Sequence, residues 1–296
     1  MNIQLEDGRL IGGDRLISDI YRTDLVPVPV TLELVVRADD ALYELLQTDK
    51  ILITPDGVHL TIVKSQVINQ QCVKAGRRIS AIHVIAVLTG CQALIGVAKR
   101  AVSLEDTSFN EIYRALGAKI RIQQDIKVSR FVCLKGQVPT TAIAMALQRE
   151  AAVICHKDNR MIVIGLNDLF NGPALLFDKS AVQWVDNPTA VRHSNVNYLS
   201  IDDNGSDIIG QTHGERSIGY YPRANTRELQ NLQRVLITKA TITRSLDPRL
   251  NAGKLIEIGK QRLVVLTAAH RYDTGAAGGS TIMATQAWLA KVEKMQ

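Results

Sequence analysis

Twenty consecutive residues, ISAIHVIAVLTGCQALIGVA from 79 to 98, contain no Lys, Arg, Asp or Glu. A chain holding such a stretch must hide it in lipid or in its own core. His83, the Thr89-Gly90 pair and Gln92 interrupt the run, and its first half alternates β-branched side chains, which is the period of a strand. The segment is therefore expected to be a buried strand, a turn and a short apolar helix, with no membrane span. A chain of 296 residues is long enough to bury it, in two domains or in one domain with inserted parts.

The flanking sequence is read the same way. VTLELVV (30 to 36) is a strand pattern, ADDALYELL (38 to 46) puts Leu42, Leu45 and Leu46 at helical spacing, and KILITPDGVHLTIVKSQVI has apolar runs on either side of the turn residues Pro55, Asp56 and Gly57. From 103 to 165 the character changes. Ser108 and Glu111 have the spacing of a capping box, Ile112 and Leu116 share a helical face, and Gly117 suits the left-handed residue that ends a helix. GQVPTTAIAMALQREAAVICH (136 to 156) repeats the arrangement: a proline start, Thr140 or Thr141 as cap, a stripe of Ile143, Leu147 and Ile154 with Ala144 and Ala151, then the Asp158-Asn159 turn and the strand MIVIG. Residues 171 to 232 are richer in turn formers and include a hairpin with Asn204-Gly205 at its tip. RVLITKATIT, KLIEIG, RLVVLTAAHRY and STIMATQAWLAKV return to β. The fold class expected is α+β, mainly β. Its parts are a first β-barrel over 1–102, a small helix-strand domain over 103–170, an irregular β connector over 171–232 and completion of a second β-barrel over 233–296.

The chemistry of enzymes and cofactor proteins is not written in these patterns. A phosphate loop needs a second glycine and a lysine; Gly136 and the following threonines have neither. The loop from Gly275 to Gly279 lies between two strand patterns, so no helix start follows it. Cys155 and His156 are chain neighbours, whose side chains diverge on a strand or a helix alike, so neither a metal site nor a nucleophile–base pair is expected there. Asp202, Asp203, Asn204 and Asp207 lack the glycine position and late glutamate of a calcium loop, and His213 and Glu215 are read as loop residues. Cys72, Cys91, Cys133 and Cys155 contain no C-x-x-C and are expected to be free, buried thiols. MNIQLEDGRL places acidic residues where an export signal would have a basic flank, so no export signal is expected. The net charge of +6 is concentrated in the last third, with 13 basic against 9 acidic residues and no long basic run; this fits an acidic partner better than a dedicated nucleic-acid footprint. No catalytic, cofactor-binding or metal residue is assigned.

The order of elements, with TSFNEIYRALGAKI, GQVPTTAIAMALQREAAVICHKDNRMIVIGLNDLF and the C-terminal LDPRLNAGKLIEIGKQRLVVLTAAHRYDTGAAGGSTIMATQAWL, resembles the baseplate hub proteins of phage tails, the group of the late control protein D family and the T4-like hub. The resemblance implies a virion structural protein at the tail tip, assembled in the host cytoplasm and without enzymatic activity or cofactors. It would be a homotrimer whose six tube-like barrels adapt a sixfold tail tube to a threefold spike or fibre and line the DNA exit channel. Its partners would be the tail tube protein, a spike or central fibre protein, the tape-measure protein, and DNA passing without specific binding. A hydrolase with an unrecognised site, a distal-tail ring component and a DNA-binding module are the alternatives.

Overall fold

Alternation of apolar and polar side chains builds the N-terminal third into strands. The computed structural model describes residues 2–37, 40–74, 77–186, 196–210, 217–275 and 280–293. Strands β1 (Gln4–Leu5), β2 (Leu16–Asp24), β3 (Val30–Arg37), β4 (Ile51–Ile53), β5 (His59–Lys74) and β6 (Arg77–Leu88) lie in the antiparallel order β1-β4-β5-β6-β3-β2. In β3, Val30, Leu32, Leu34 and Val36 are buried while Glu33 faces out. The short helix α1 (Asp40–Leu45) adds Leu42, followed by Leu46, to the same core.

The uncharged stretch supplies β6, where Ile82, Val84 and Ala86 are buried. Gly90 then turns the chain at φ +92°, and a Cβ there would come within 2.9 Å of the Ile120 backbone nitrogen, so the position is closed to side chains. The apolar helix expected next is reduced to one 3-10 turn, Gln92–Leu94. Gly90 and Gly96 bracket too few residues to form a helical nucleus. The chain leaves instead to bond a loop, with Ala98 N–H donating to Gln137 O and Gly136 N–H to Ala98 O, both at 2.8 Å.

Two helix-then-strand units follow. β7 (Val102–Ser108) leads into α2 (Phe109–Ala115), β8 (Ile122–Gln124) and β9 (Lys127–Cys133); then come α3 (Pro139–Arg149), β10 (Ala152–Lys157), β11 (Arg160–Gly165) and α4 (Leu166–Leu169). β7 pairs with β9, and a second sheet runs β10-β11-β8. Both halves of the α2 capping box form: Ser108 Oγ accepts from Glu111 N at 3.4 Å, and Glu111 Oε2 accepts from Ser108 N at 3.1 Å. Asp125 accepts from the Phe109 and Asn110 amides at 3.0 Å each, so four donors at this helix start are satisfied or shared. Gly117 ends it at φ +90°.

The start of α3 differs from expectation. Pro139 is its first residue and Val138 its cap position, with no side-chain cap, so neither Thr140 nor Thr141 caps it. Proline makes a cap less necessary, because its fixed φ is pre-set for the helix and it has no N–H to satisfy. Its buried stripe is Pro139, Ala142, Ile143, Ala146 and Leu147, whereas Ala144 is exposed. Ala151 breaks the helix at φ +45°, and Ile154 is buried on β10, not on the helix.

The remaining elements are β12 (Ala174–Leu176), β13 (Gln183–Trp184), β14 (Val196–Ile201), β15 (Asp207–Ile209), β16 (Ser217–Tyr220), α5 (Thr226–Leu232), β17 (Val235–Ser245), β18 (Leu255–Ile258), β19 (Gln261–Asp273) and β20 (Ile282–Glu293). β19 decides the architecture. Along one edge its residues 261–264 pair with β18 and residues 267–273 pair with β2, while β20 follows its other edge through a bulge between Val265 and Thr267. A bulge bends a strand and raises its twist, which lets one strand serve two neighbours. The β-rich ends are thereby joined in one 12-stranded sheet, and among the described residues no sheet closes on itself. The fold is α+β, mainly β.

At the C-terminal end the sheet curls through β12, β18, β19, β20, β17 and β13 around a core that includes Ile242, Leu250, Ile256, Leu263 and Leu289. Residues 174–184 cross from one end of this curl to the other, parallel to β18 first and antiparallel to β17 next. An open seam remains between β12 and the last residues of β17.

Candidate functional site

β10 is sandwiched between two cores. Ala152 and Ile154 pack into the N-terminal core, whereas Val153 and Cys155 join Leu25, Ala252, Leu255, Val264 and Ala290 in a second one. Cys155 lies against Gly253, which sits at φ +85°, a conformation that favours glycine. Burial pushes the Cys155 thiol up to about 11, against a smaller opposing pull from Lys157. His156, on the opposite face, is half-buried, and burial lowers its pKa despite Asp158. The pair is therefore divided between the two faces of β10, and the thiol is held protonated. Cys91 and Cys133 are likewise free and buried, with burial raising Cys91 to about 12; the Cys72 side chain lies outside the described residues.

The other candidates resolve into turn chemistry. Gly136 sits at φ +84° in the loop bonded to Ala98. Asp202 Oδ1 accepts from Asn204 N at 2.9 Å and Ser206 N at 2.7 Å, and Gly205 has φ +83°; the acidic group is a hairpin tip. Gly275 follows β19, whose last residue Asp273 pairs with Ile282 of β20, while residues 276–279, His213 and Glu215 lie outside the described residues. Among the described residues no three His, Cys, Asp or Glu side chains gather as a metal site, and no helix is long and apolar enough to cross a membrane.

The dense polar chemistry lies where the two β-rich ends join. Asn251 Nδ2–H donates to Pro248 O at 2.7 Å, which turns its Oδ1 toward His270 Nε2 at 3.3 Å. That oxygen only accepts, so Nε2 carries the ring proton and Nδ1 accepts from Thr285 Oγ at 2.9 Å. Thr285 Oγ in turn accepts from Asp247 N at 2.8 Å. Burial holds the His270 pKa below its ordinary value, outweighing the opposing Asp247 carboxylate. Tyr21 of β2 stacks on the ring with centroids 6.1 Å apart. Nearby, Thr23 Oγ accepts from Ala252 N at 2.9 Å, and Thr267 Oγ donates to Asp24 at 2.5 Å. These contacts fasten the loop 246–254 to β2, β19 and β20. The network holds parts together, and the Thr285 hydroxyl at its centre is fully buried.

A second polar joint was not read from the sequence. α5 has its own capping box, with Asn225 Oδ1 accepting from Glu228 N at 2.9 Å and Glu228 Oε2 from Asn225 N at 3.1 Å. The signal was present as Asn-x-x-Glu before an apolar pair. Arg227 forks onto Glu150 at 2.6 and 3.1 Å, and Asn231 Nδ2 donates to Arg149 O at 2.7 Å. These bonds tie the stretch expected to be an irregular connector to the end of α3.

Three open surfaces stand out among the described residues. β14, β15 and β16 bury Tyr198 against Leu229 and Leu232, yet turn Ile201, Ile209, Ile218 and Tyr220 outward. β4 pairs with β5 at His59 to Thr61, and Ile62 exchanges backbone bonds with Asp49 and Lys50 at 2.9 Å; beyond Ile62 that edge of a 16-residue strand has no strand partner among the described residues. The third is the seam beside β12. Unpaired strand edges and apolar sheet faces are surfaces that proteins cover by assembly.

No protein-family model matches the chain, and no curated protein sequence matches it. Solved structures do. A tail protein from Neisseria meningitidis MC58 aligns with TM-score 0.63 at 10% identity, covering 98% of this chain and 95% of that one. The 43 kDa tail protein of prophage MuSo2 from Shewanella oneidensis aligns with TM-score 0.60 at 8% identity over 97% and 96%. A chain of the Francisella PdpA–VgrG complex aligns with TM-score 0.51 at 8% identity, covering 98% of this chain and 57% of that one. The fold is thus one found in phage tail proteins.

Proposed function

We propose that this chain is a structural component of a phage tail: a baseplate hub that adapts a sixfold tail tube to a threefold spike or fibre and lines the DNA exit channel. One observation carries the reading. The fold is matched end to end by a prophage tail protein, with 97% of this chain and 96% of the other aligned, so the shared architecture is the whole molecule and not a module. Open strand edges are what an assembling ring component would cover between its subunits. The four-part division at 102, 170 and 232 is part of this proposal, with residues 174–184 working with the last part. So are the homotrimer, the tail tube, spike and tape-measure partners, and the location at the tail tip.

Size-exclusion chromatography with light scattering and electron microscopy of tail particles test it. A threefold ring at the tail tip is expected. A chain that stays monomeric and does not enter tail particles overturns the reading, and a sixfold ring would instead make it a distal-tail component.

A further inference from the structure

The seam beside β12 is bordered on both walls by backbone groups with no strand partner among the described residues. In an antiparallel ladder, a residue's N–H and C=O point to the same neighbour, and successive residues alternate. Val185 N–H donates to Lys239 O at 2.8 Å, so the backbone groups of Thr241, Thr243 and Ser245 point to the same side. β13 pairs only as far as Thr241. Thr243 and Ser245 therefore offer their backbone groups to the seam, with no backbone partner among the described residues. On the opposite wall, Phe177 N–H donates to Glu257 O at 2.9 Å, so Phe177 and Leu175 face β18, and Ala174 and Leu176 turn their backbone groups to the seam.

Between the walls lies a groove of about 500 Å³ with Leu175, Phe177 and Ile242 among its lining. Its β17 side is basic. The guanidinium of Arg244 stands 5.4 Å over the Phe177 ring, and Arg249 is 64% exposed. Both ion-pair with the single buried carboxylate of Asp247, at 3.3 and 2.8 Å, which leaves one positive charge in excess. The other wall ends at the exposed Asp178.

We propose that this seam is a strand-acceptor site for an extended segment of a partner protein, alternating apolar residues with polar ones and carrying an acidic side chain at the Arg244–Arg249 end. Only an extended backbone can satisfy both rows of free groups at once. Main-chain pairing would supply the affinity, and the apolar floor and the arginines the selectivity, as in other cases of strand addition.

The test uses a synthetic peptide of about eight residues, alternating valine with threonine and ending in two glutamates, titrated onto the full chain and read by amide hydrogen exchange. Saturable binding with new protection at Thr243 and Ser245 is expected. Thr243→Pro removes the seam-facing N–H while sparing the ladder to β20 and should weaken binding about tenfold, the effect of one lost hydrogen bond; Thr243→Ala, which keeps that N–H, should not. If the proline variant fails to fold, Arg249→Glu tests the charge independently: it should shift preference from the glutamate peptide to one ending in lysines. No binding, or unprotected amides at Thr243 and Ser245 in the complex, overturns the proposal. Protection of both amides in the free chain also does, marking the seam as filled by residues 187–195 if it survives dilution and by a second copy if it does not.

Discussion

At the residue scale, Glu150 and Arg227 form an unequal pair. The Glu150 side chain is 2% exposed and that of Arg227 58%. Removing the arginine strands a carboxylate in the interior, whereas removing the glutamate frees a cation that water can reach. Arg227→Ala is therefore expected to destabilise by about 2–3 kcal/mol and Glu150→Ala by clearly less; equal urea-melt losses would contradict the asymmetry. His270 gives a pH prediction. Its folded pKa lies below the ordinary 6.5, so the unfolded chain takes up the proton first. The stability this histidine contributes is present above about pH 6.5 and is lost as pH falls toward the folded value. Asp19 opposes it: burial, with a smaller push from Asp273, raises its pKa from 3.8 to about 6, so its contribution is lost as pH rises through 6. The comparison that isolates His270 is between the natural chain and His270→Gln. The loss of stability on going from about pH 7.5 to pH 5.5 should shrink in the variant, and it will not vanish because His156 is depressed in the same sense.

At the element scale, the helices with capping boxes and the glycine turns carry the predictions. Ser108→Ala and Asn225→Ala should each cost about 1 kcal/mol in urea melts. The Asn225 variant should also loosen α5 from Arg149, seen as faster amide exchange over 226–232. Gly90→Ala should cost more than about 1 kcal/mol, since it meets both an unfavourable φ and the Ile120 backbone. These elements were legible because their signals are local. Ser108 and Glu111, Gly117, Asp158-Asn159 and Asn204-Gly205 act within a few residues of themselves, and each formed the cap or turn its chemistry requires. The helix expected after Gly90 failed because hydrophobicity over 91–98 carries no period, and glycines at both ends removed the length a helix needs.

At the scale of the whole molecule, the joint between the β-rich ends sets the behaviour. Asp24 and Thr267 stand 243 positions apart and share a hydrogen bond, and Thr23 holds Ala252 across 229. The two ends are therefore expected to unfold as one cooperative unit: Thr23→Val, which removes the acceptor for the buried Ala252 N–H, should lower the urea midpoint reported by amides in β3 and in β20 alike. Separate midpoints for the two ends would show independent parts. The sequence by itself determined the period of strands such as β3, β5, β6, β17 and β19, the cap of α2 and the reversals at glycine and asparagine, because each is a short-range property of residue type. It did not determine which strand β19 would take as its neighbour, that α5 would dock on α3, that Cys155 would close a core against Gly253, or that a seam would stay open beside β12. Backbone donors and acceptors are alike on every alternating strand, so pairing between distant strands is chosen only when the folded chain brings their apolar faces into one core.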